Sequence, residues 1–385
     1  MATHYDAVVG GGSVAGLTFA AEASKRGLSV LLLEEDAEIG EPEKCDGLVS
    51  LTELRKYVVP ESSCVQSRVK RGTIFSPSGQ KATLDASKLD VVVLDRSAYD
   101  KQLAARATGA GVTVKTGTRV KGVVEDNDGV KVQADSSYTA TYYVDATGPV
   151  GVSKFNRGGL IPAAKYEVEG DWINDGEVEV HTDQKKYPGF FAWVIPRGRN
   201  IAKVGVAGHG VNGFAALNAF LEKREGRILT RVACTIYIGG PIESFVKGRT
   251  VYVGESAGQV KPTTAGGIPS SAAAGMLAGR WVADSVTLKD PSLVRRYERD
   301  WNERYGKEYS LMKRLRHVYE SLSNDDVEKV VSTLSDEKVA SKLASTSFDY
   351  HASAIVSVLG MRGLLRLASV LVSAEAKRTI SSLSP

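Results

Sequence analysis

The first residues whose types and spacing suggest chemistry form a glycine-rich turn near the N-terminus. The turn lies between a short apolar run that begins at Asp6 and a small-residue stretch from Ala15 to Arg26, and a second apolar run ends at Glu34. Glycines let a backbone approach a pyrophosphate, the N-terminus of a helix supplies N–H groups, and an acid after the second strand can bind ribose hydroxyls. This segment therefore predicts a βαβ unit that binds a dinucleotide.

The glycine-rich turn can be read in two registers. The first matches the GxGxxG/A pattern directly with Gly10, Gly12 and Ala15. The second needs a serine at the middle position and uses Gly11, Ser13 and Gly16. We favour the second register because it leaves a full strand before the turn and places Glu34 about 20 residues beyond it. The choice decides which backbone amides contact phosphate, not whether a dinucleotide binds.

A second glycine-rich segment lies far downstream and reads VGESAGQVKPTTAGGI from Val253 to Ile268. One dinucleotide held from both sides by distant parts of a chain indicates FAD more than NAD. No second glycine-rich βαβ unit follows Glu34, so we expect no dedicated NAD(P)H domain. The electron donor stays open between transient NAD(P)H and a small redox protein such as ferredoxin.

Composition and charge limit the class of protein. The chain has 385 residues, 43% of them hydrophobic and 24% charged, which suffices for two domains or for one domain with a large insertion. A net charge of +4 is too small to indicate nucleic-acid binding, but it suits contact with anionic lipid head groups. The first strand begins at Asp6 without a charged and apolar leader, so we expect a cytoplasmic protein that can touch the inner face of the membrane peripherally. Three cysteines without CxxC spacing indicate neither a disulfide framework nor a metal site.

The elements around these segments predict a mixed α/β architecture. We expect short strands in 72–95, a helix in 96–109, strands in 112–145 with a turn at Asn127-Asp128-Gly129, an antiparallel layer in 160–245, and a returning strand at 251–253. The predicted fold is therefore α/β, with a Rossmann-type FAD-binding domain, an antiparallel-sheet substrate domain as an α+β second layer, and a C-terminal helical region. The predicted boundaries are 1–71, 96–155 and 246–285 for the FAD-binding domain, 72–95 and 156–245 for the substrate domain, and 286–385 for the helical region.

The C-terminal region combines an aromatic and basic helix after about Asp290 with a more apolar stretch that begins at Ala354. Arg362 and Arg366 interrupt the apolar stretch near its middle, so we do not expect it to span a membrane. Packing against the core is one interpretation. A lid over an apolar channel, or a contact with the bilayer surface, is the other.

Several segments together resemble one enzyme family. They are the N-terminal glycine-rich turn, EIGEPEKCDG, LDRSAYDKQLA, DATG, GFFAWVIPRG and VGESAGQVKPTTAGGI. This combination resembles the geranylgeranyl reductases, including the archaeal digeranylgeranylglycerophospholipid reductases, within the FAD flavoproteins built like para-hydroxybenzoate hydroxylase. The resemblance covers about residues 5 to 285. It implies an FAD-dependent enzyme that saturates C=C bonds in the prenyl chains of lipid precursors.

The resemblance also implies which residues contact FAD. In the downstream segment these are Gly254, Glu255, Gly258, Pro262, Gly266, Gly267 and Ile268. Glu255 stands where the family has Asp, which keeps a carboxylate acceptor but moves it by one C–C bond. Arg96 is expected near the FAD diphosphate, with a surface ion pair to Asp95 or Asp100 as the alternative. Val120 matches a backbone contact to adenine.

Cys45 is the residue for which the resemblance implies chemistry. The segment Lys44-Cys45-Asp46-Gly47 resembles one in which the reductases carry a cysteine beside the reacting face of the flavin. Cys45, Asp46 and Gly47 are therefore also expected to contact FAD. The loop follows the strand that ends at Glu34, at the edge of the sheet where open α/β folds bind ligands. We predict that Cys45 positions or protonates the substrate and that Lys44 favours its thiolate, with an ordinary small loop residue as the alternative.

The aromatic segment around Trp193 bears on the choice within the fold family. Geranylgeranyl reductases carry YxWxFP there and flavin-dependent halogenases carry WxWxIP, whereas this chain has FxWxIP. The reductase-like Cys45 loop favours prenyl reduction, and a monooxygenase or halogenase of the same fold is the alternative. The resemblance implies a prenylated lipid substrate that binds against Phe190, Phe191, Trp193 and Ile195. Trp193 is also a candidate catalytic residue.

Overall fold

The computed structural model describes residues 4–126, 129–152, 157–344, 346–353 and 355–356. The chain divides into two compact units. Unit 1 contains residues 1–65, 94–160 and 237–309, and unit 2 contains residues 66–93, 161–236 and 310–385. Each unit is therefore assembled from separate stretches of chain. The described residues of the predicted helical region 286–385 belong to unit 1 up to Tyr309 and to unit 2 after it.

The elements are numbered in chain order. The strands are β1 (His4–Gly10), β2 (Val30–Leu33), β3 (Leu48–Ser50), β4 (Val65–Arg68), β5 (Arg71–Phe75), β6 (Lys81–Asp85), β7 (Val91–Leu94), β8 (Thr113–Lys115), β9 (Gly122–Glu125), β10 (Val130–Gln133), β11 (Ser137–Asp145), β12 (Leu160–Glu169), β13 (Glu177–Thr182), β14 (Phe191–Gly198), β15 (Ile201–Ala207), β16 (Arg227–Tyr237), β17 (Val246–Lys247) and β18 (Thr250–Tyr252). The α-helices are α1 (Val14–Lys25), α2 (Leu51–Leu54), α3 (Arg96–Gly109), α4 (Gly213–Leu221), α5 (Ile268–Thr287), α6 (Arg295–Trp301), α7 (Lys307–Ser321), α8 (Asn324–Leu334) and α9 (Glu337–Ala344).

Unit 1 is built on an eight-stranded sheet, six strands of which follow the order β17-β18-β11-β1-β2-β8. The other two are β10, which pairs with β11, and β9, which pairs with β10. The neighbours β18, β11, β1, β2 and β8 are parallel. Ala7 to Val9 and Val30 to Leu33 have almost no exposed surface, as expected for parallel strands that are covered on both faces. α1 follows β1 and packs against α5. This packing brings the elements that flank the two glycine-rich segments together.

Unit 2 is built on a seven-stranded sheet in the order β16-β12-β15-β14-β13-β5-β6. β12, β15, β14 and β13 pair antiparallel, as do β5 and β6, whereas β5 and β13 are parallel. β5 comes from a separate, earlier stretch of the chain than β13. One face of the sheet packs under α4. The buried residues of this core include Ala192, Val194, Val204 and Val206 from the sheet and Leu217 and Phe220 from α4.

The C-terminal part of the described chain is helical. A π-helical turn, Asn302–Gly306, joins α6 to α7. The residues Asn127 and Asp128, and almost all of the apolar stretch that begins at Ala354, lie outside the described residues. Over the residues that are described, no helix has the length and apolar character to cross a bilayer, and no group of His, Cys, Asp or Glu is arranged to hold a metal ion. The predicted α/β class, with its antiparallel layer and helical C-terminal part, is confirmed.

Candidate functional site

The glycine-rich turn joins β1 to α1 and leaves little space for side chains. Gly11 has a φ of 102°, and an added Cβ there would lie 2.6 Å from the carbonyl carbon of Ala146. A Cβ on Gly16 would meet the carbonyl oxygen of Gly11. α1 begins at Val14 with Ser13 as its N-cap, and the Ser13 side chain makes no capping hydrogen bond. The turn therefore presents main chain and a helix N-terminus, which are the groups that bind phosphate.

Glu34 follows β2 and lies beside the same turn. Its carboxylate accepts the N–H of Gly12 at 2.5 Å and the N–H of Asp36 at 2.9 Å. Two main-chain donors fix the direction of the side chain, and a carboxylate keeps further lone pairs for other donors. Glu34 is thus held where the acid of a βαβ unit binds ribose hydroxyls.

Arg96 is the first residue of α3 and is buried. Its guanidinium pairs with Asp100 at 2.9 Å and donates to the Ser13 hydroxyl at 3.2 Å. The sequence offered Asp95 and Asp100 as surface ion-pair partners of Arg96. In the structure Arg96 pairs with Asp100, and this pair is buried. Asp95 instead caps the start of α3. Burial disfavours the charge on Arg96, but Asp100 and Cys45 outweigh burial, so the pKa of Arg96 is raised.

Cys45 is exposed in the loop after β2 and contacts Arg96. The Arg96 guanidinium donates a hydrogen bond to the Cys45 side chain. Lys44 pairs with Asp36, with 3.5 Å between Nζ and Oδ2. Arg96, which α3 brings to the loop from a distant part of the sequence, is a cation that contacts Cys45 and that the sequence did not indicate. The Gly47 carbonyl accepts an N–H from Leu94, the last residue of β7, and this bond fixes the loop beside the start of α3.

The downstream glycine-rich segment begins with a 3-10 turn, Gly254–Ala257, directly after β18. A Cβ added to Gly254 would lie 2.6 Å from the Cβ of Ala15 in α1, so the two glycine-rich segments are in contact. The Ser256 hydroxyl donates to Asp145 at 3.0 Å and accepts the N–H of Gly148 at 2.8 Å. Ser256, which the sequence reasoning did not single out, therefore ties the DATG turn to the downstream segment.

Glu255 lies between Gly254 and Ser256 in the 3-10 turn and is largely enclosed by protein. Its carboxylate accepts the backbone N–H of Tyr237 and lies within the electrostatic reach of Arg96. Burial raises the pKa of Glu255 to about 7, although the Tyr237 N–H and the Arg96 charge act in the opposite direction. Near neutral pH this side chain therefore exists as both acid and carboxylate, and the acid form can donate a hydrogen bond.

Most of the remaining residues predicted to contact the cofactor lie in the segment that leads into α5. They are Gly258, which ends the 3-10 turn, Pro262, which is buried in the following loop, Gly266 and Gly267, which precede α5, and Ile268, which begins it. Val120 is buried beside Gly10, and Asp46 is partly buried next to Gly47. Lys261 is also buried, with its side chain against Gly266. The burial of Lys261 could not be predicted, because the sequence around it has no hydrophobic periodicity.

β14 carries three of the four residues expected to bind the substrate, and the fourth, Phe190, directly precedes it in unit 2. Phe191 and Trp193 are partly exposed, whereas Ala192 and Val194 between them are buried under α4. The Phe191 ring stacks on Phe190 with 4.1 Å between ring centres, and it meets Trp193 edge-on at 6.1 Å. We call Phe190, Phe191 and Trp193 the aromatic cluster. The alternation of faces along a strand explains why only half of this segment faces the core.

Gly205 makes room for Trp193 on the neighbouring strand. The two residues are directly opposite in the pairing of β14 with β15. A Cβ added to Gly205 would lie 2.8 Å from Nε1 of the indole and closer still to two ring carbons. Ile195, which lies on the same face as Trp193, is buried opposite Lys203. The sequence could not identify Gly205 as a partner because strand register is a tertiary property.

Comparison with known proteins places the chain in a family. It is 30% identical over 364 residues to the digeranylgeranylglycerophospholipid reductase of Methanothrix thermoacetophila, across 87% of this chain and 92% of that protein. It is also 30% identical to digeranylgeranylglycerophospholipid reductase 1 of Methanococcoides burtonii, across 87% of this chain and 89% of that protein. This chain belongs to the digeranylgeranylglycerophospholipid reductase family. The resemblance stated from the sequence is thereby confirmed, although no protein-family model matches the chain.

Solved structures place the fold of this reductase-family chain among flavoproteins. A geranylgeranyl bacteriochlorophyll reductase-like protein from Thermoplasma acidophilum superposes with a TM-score of 0.83 at 24% identity, across 94% of this chain and 99% of that one. A myxobacterial FAD-dependent halogenase superposes with a TM-score of 0.63 at 16% identity, across 92% of this chain and 97% of that one. At these identities the similarity shows the fold, which is the Rossmann-type fold of FAD-dependent enzymes.

Proposed function

We propose that the protein binds FAD non-covalently and uses reduced FAD to saturate C=C bonds in the geranylgeranyl chains of membrane-lipid precursors. The observation that carries this proposal is membership of the digeranylgeranylglycerophospholipid reductase family over most of the chain. The phosphate-binding turn of unit 1 and the aromatic cluster of unit 2 are the two kinds of surface that such a reaction needs.

The residues of unit 1 fit FAD in their chemistry. The main chain at Gly11 can approach a pyrophosphate, Glu34 keeps lone pairs for ribose hydroxyls, and Gly254 packs the second segment against α1. We assign FAD binding to Gly11, Ser13, Ala15, Gly16, Glu34, Cys45, Asp46, Gly47, Arg96, Val120, Gly254, Glu255, Gly258, Pro262, Gly266, Gly267 and Ile268. When bound and reduced, FAD supplies the hydride equivalent.

Cys45 is the proposed source of the proton that completes the saturated bond. An isolated alkene has no adjacent carbonyl to spread developing charge, so a proton donor must be held in position as the hydride is transferred. The hydrogen bond from Arg96 orients the Cys45 side chain. Either the thiol itself or a water ordered by it donates the proton, since a thiol is a weak acid.

The aromatic cluster is the proposed wall for the prenyl chain. Phe191 and Trp193 are partly exposed and offer apolar ring surface, while Phe190 is buried and supports both rings. Ile195 extends the same face. We propose that Trp193 holds the reacting double bond in position.

We further propose that electrons reach FAD from transient NAD(P)H or from a ferredoxin-like protein, because the sequence contains no second glycine-rich βαβ unit after Glu34. The proposed location is the cytoplasm, with peripheral contact at the inner face of the membrane. A net charge of +4 favours anionic lipid head groups.

The deciding experiment incubates the dithionite-reduced holoenzyme with a digeranylgeranylglycerol phospholipid under anaerobic conditions. Mass spectrometry should show the lipid gaining two hydrogens for each double bond reduced. The alternative is a monooxygenase or halogenase, which is favoured by Ile195 and by the fold shared with an FAD-dependent halogenase. An oxygen-dependent product formed with NAD(P)H, together with unchanged prenyl double bonds, would support that alternative and refute prenyl reduction.

A further inference from the structure

Arg316, a buried residue of α7, contacts Phe190, which is the buried member of the aromatic cluster. Arg316 is only 3% exposed. Its Nη2 donates to the carbonyl of Gly189, and its Nε donates to Glu320 at 3.0 Å. The guanidinium carbon also lies 4.9 Å from the centre of the Phe190 ring. Arg316 therefore contacts the main chain just before Phe190 as well as the Phe190 ring.

Tyr319, one helical turn after Arg316, makes a second contact with Phe190. Its hydroxyl donates to the carbonyl of Phe190 at 2.7 Å. The Tyr319 carbonyl accepts from Gln184 Nε2 at 3.0 Å, and Gln184 Oε1 accepts the N–H of Gly189 at 2.8 Å. Polar contacts from α7 and from the preceding loop thus fix Gly189 and Phe190.

Packing alone is a poor explanation for an arginine at this position. Removing a guanidinium from water has a large desolvation cost, and an apolar side chain of similar volume often gives equal or greater stability. What arginine adds is a rigid, planar set of donors with a defined direction. The Phe190 ring, which Arg316 faces, stacks on Phe191 and lies 6.2 Å from Trp193 between ring centres. The Phe190 ring therefore contacts Arg316 on one side and the two partly exposed rings on the other.

We propose that Arg316 is a positioning residue for the aromatic cluster and that, through Phe190, it controls how tightly the prenyl chain is bound. This inference rests on the proposed function, because it takes the aromatic cluster as the prenyl-binding surface. The effect belongs to substrate binding and not to cofactor binding, since the contacts of Arg316 described above lie in unit 2 and the assigned FAD residues lie in unit 1.

The test compares Arg316→Met and Arg316→Lys with the same substitutions at Arg314. Arg314 is exposed on the same helix and provides a matched control. Steady-state reduction of a digeranylgeranylglycerol phospholipid in detergent micelles is measured anaerobically with the FAD-loaded enzyme and excess dithionite as the electron donor. We expect Arg316→Met to raise KM roughly tenfold with kcat within about twofold, Arg316→Lys to raise KM less, and FAD affinity to stay unchanged in both. The Arg314 variants should match the wild type.

A second background shows whether Arg316 acts through Phe190. In a Phe190→Leu protein, Arg316→Met should raise KM by less than about twofold, because the ring that Arg316 positions is gone. An equal KM increase in both backgrounds, or an Arg316→Met KM equal to that of Arg314→Met, overturns the inference. If Arg316→Met does not fold, Arg316→Lys is judged by the same criteria. A wild-type enzyme that leaves the lipid unreduced is a separate result, since it refutes the proposed function and the inference with it.

Discussion

One added methyl group at Gly205 tests whether Trp193 lies where the structure places it. A Cβ on Gly205 would lie 2.8 Å from Nε1 of the indole and nearer to two of its ring carbons, whereas ordinary contacts begin at 3.4 Å. The indole, or the strand that carries Gly205, must therefore move by well over half an ångström. Either movement also disturbs the edge-on contact between Trp193 and Phe191.

The magnitude follows from the cost of overpacking. Inserting a methyl group into a filled site destabilises a protein by about 1–3 kcal/mol, and replacing a strand glycine with alanine returns about 0.5–1 kcal/mol of that. We expect Gly205→Ala to lower the free energy of unfolding by about 1–2 kcal/mol. We also expect the KM for a prenyl lipid to rise about tenfold. The affinity for FAD should not change, since Gly205 belongs to unit 2.

The matched control is Gly72→Ala in β5 of the same sheet. An added Cβ at Gly72 meets nothing within 4 Å. Urea unfolding, tryptophan emission and steady-state kinetics are measured for both variants and for the wild type. If Gly205→Ala behaves like Gly72→Ala in unfolding free energy and in KM, the indole is not held over Gly205 and the reasoning about the substrate face is wrong.

Three further predictions concern unit 1. Glu34→Ala should weaken FAD binding about tenfold or more, because hydrogen bonds to a charged acceptor contribute about 1.5–3 kcal/mol. Titration of the apo-protein with FAD measures this affinity, and an unchanged value would mean that another residue binds the ribose. Cys45→Ala should retain FAD, seen by its absorbance, yet slow prenyl reduction in single-turnover assays; an unaltered rate excludes Cys45 as proton source. Glu255 has a pKa raised from 4.5 to about 7, so the folded state holds its proton more tightly than the unfolded state, and the stability linked to that proton is present below about pH 4.5 and is lost as the pH rises through about 7. Urea unfolding of apo-protein across this range should show the wild type losing stability relative to Glu255→Gln, and a difference that is constant with pH would contradict the raised pKa.

Local pattern was sufficient for the first βαβ unit. The apolar run expected from Asp6 is part of β1, the small-residue stretch from Ala15 to Arg26 differs from α1 by one residue at each end, and the run before Glu34 is β2. These elements were predictable because a parallel strand buried on both faces appears in sequence as a continuous apolar run. A helix beside a phosphate-binding turn likewise needs small residues at fixed spacing.

Contacts between distant residues were not predictable in the same way. The pairing of Trp193 with Gly205 depends on the register of β14 with β15, and hydrophobic alternation fixes the face of each residue but not its neighbour across the sheet. The contact of Arg316 with Phe190 joins a helix to the residue directly before β14, in a distant part of the sequence. Only the folded chain identifies these partners.

The contacts of Arg96 change how the candidate cofactor site is understood. An arginine near a diphosphate would ordinarily be taken as the group that neutralises phosphate charge, but the charge of Arg96 is already balanced by Asp100. We therefore propose that phosphate binding depends mainly on the backbone N–H groups and the dipole at the start of α1. Arg96 instead donates to Ser13 at that helix start and to Cys45 in the neighbouring loop. The same guanidinium thus contacts both the turn before α1 and the proposed proton donor, and we expect a change at Arg96 to disturb both.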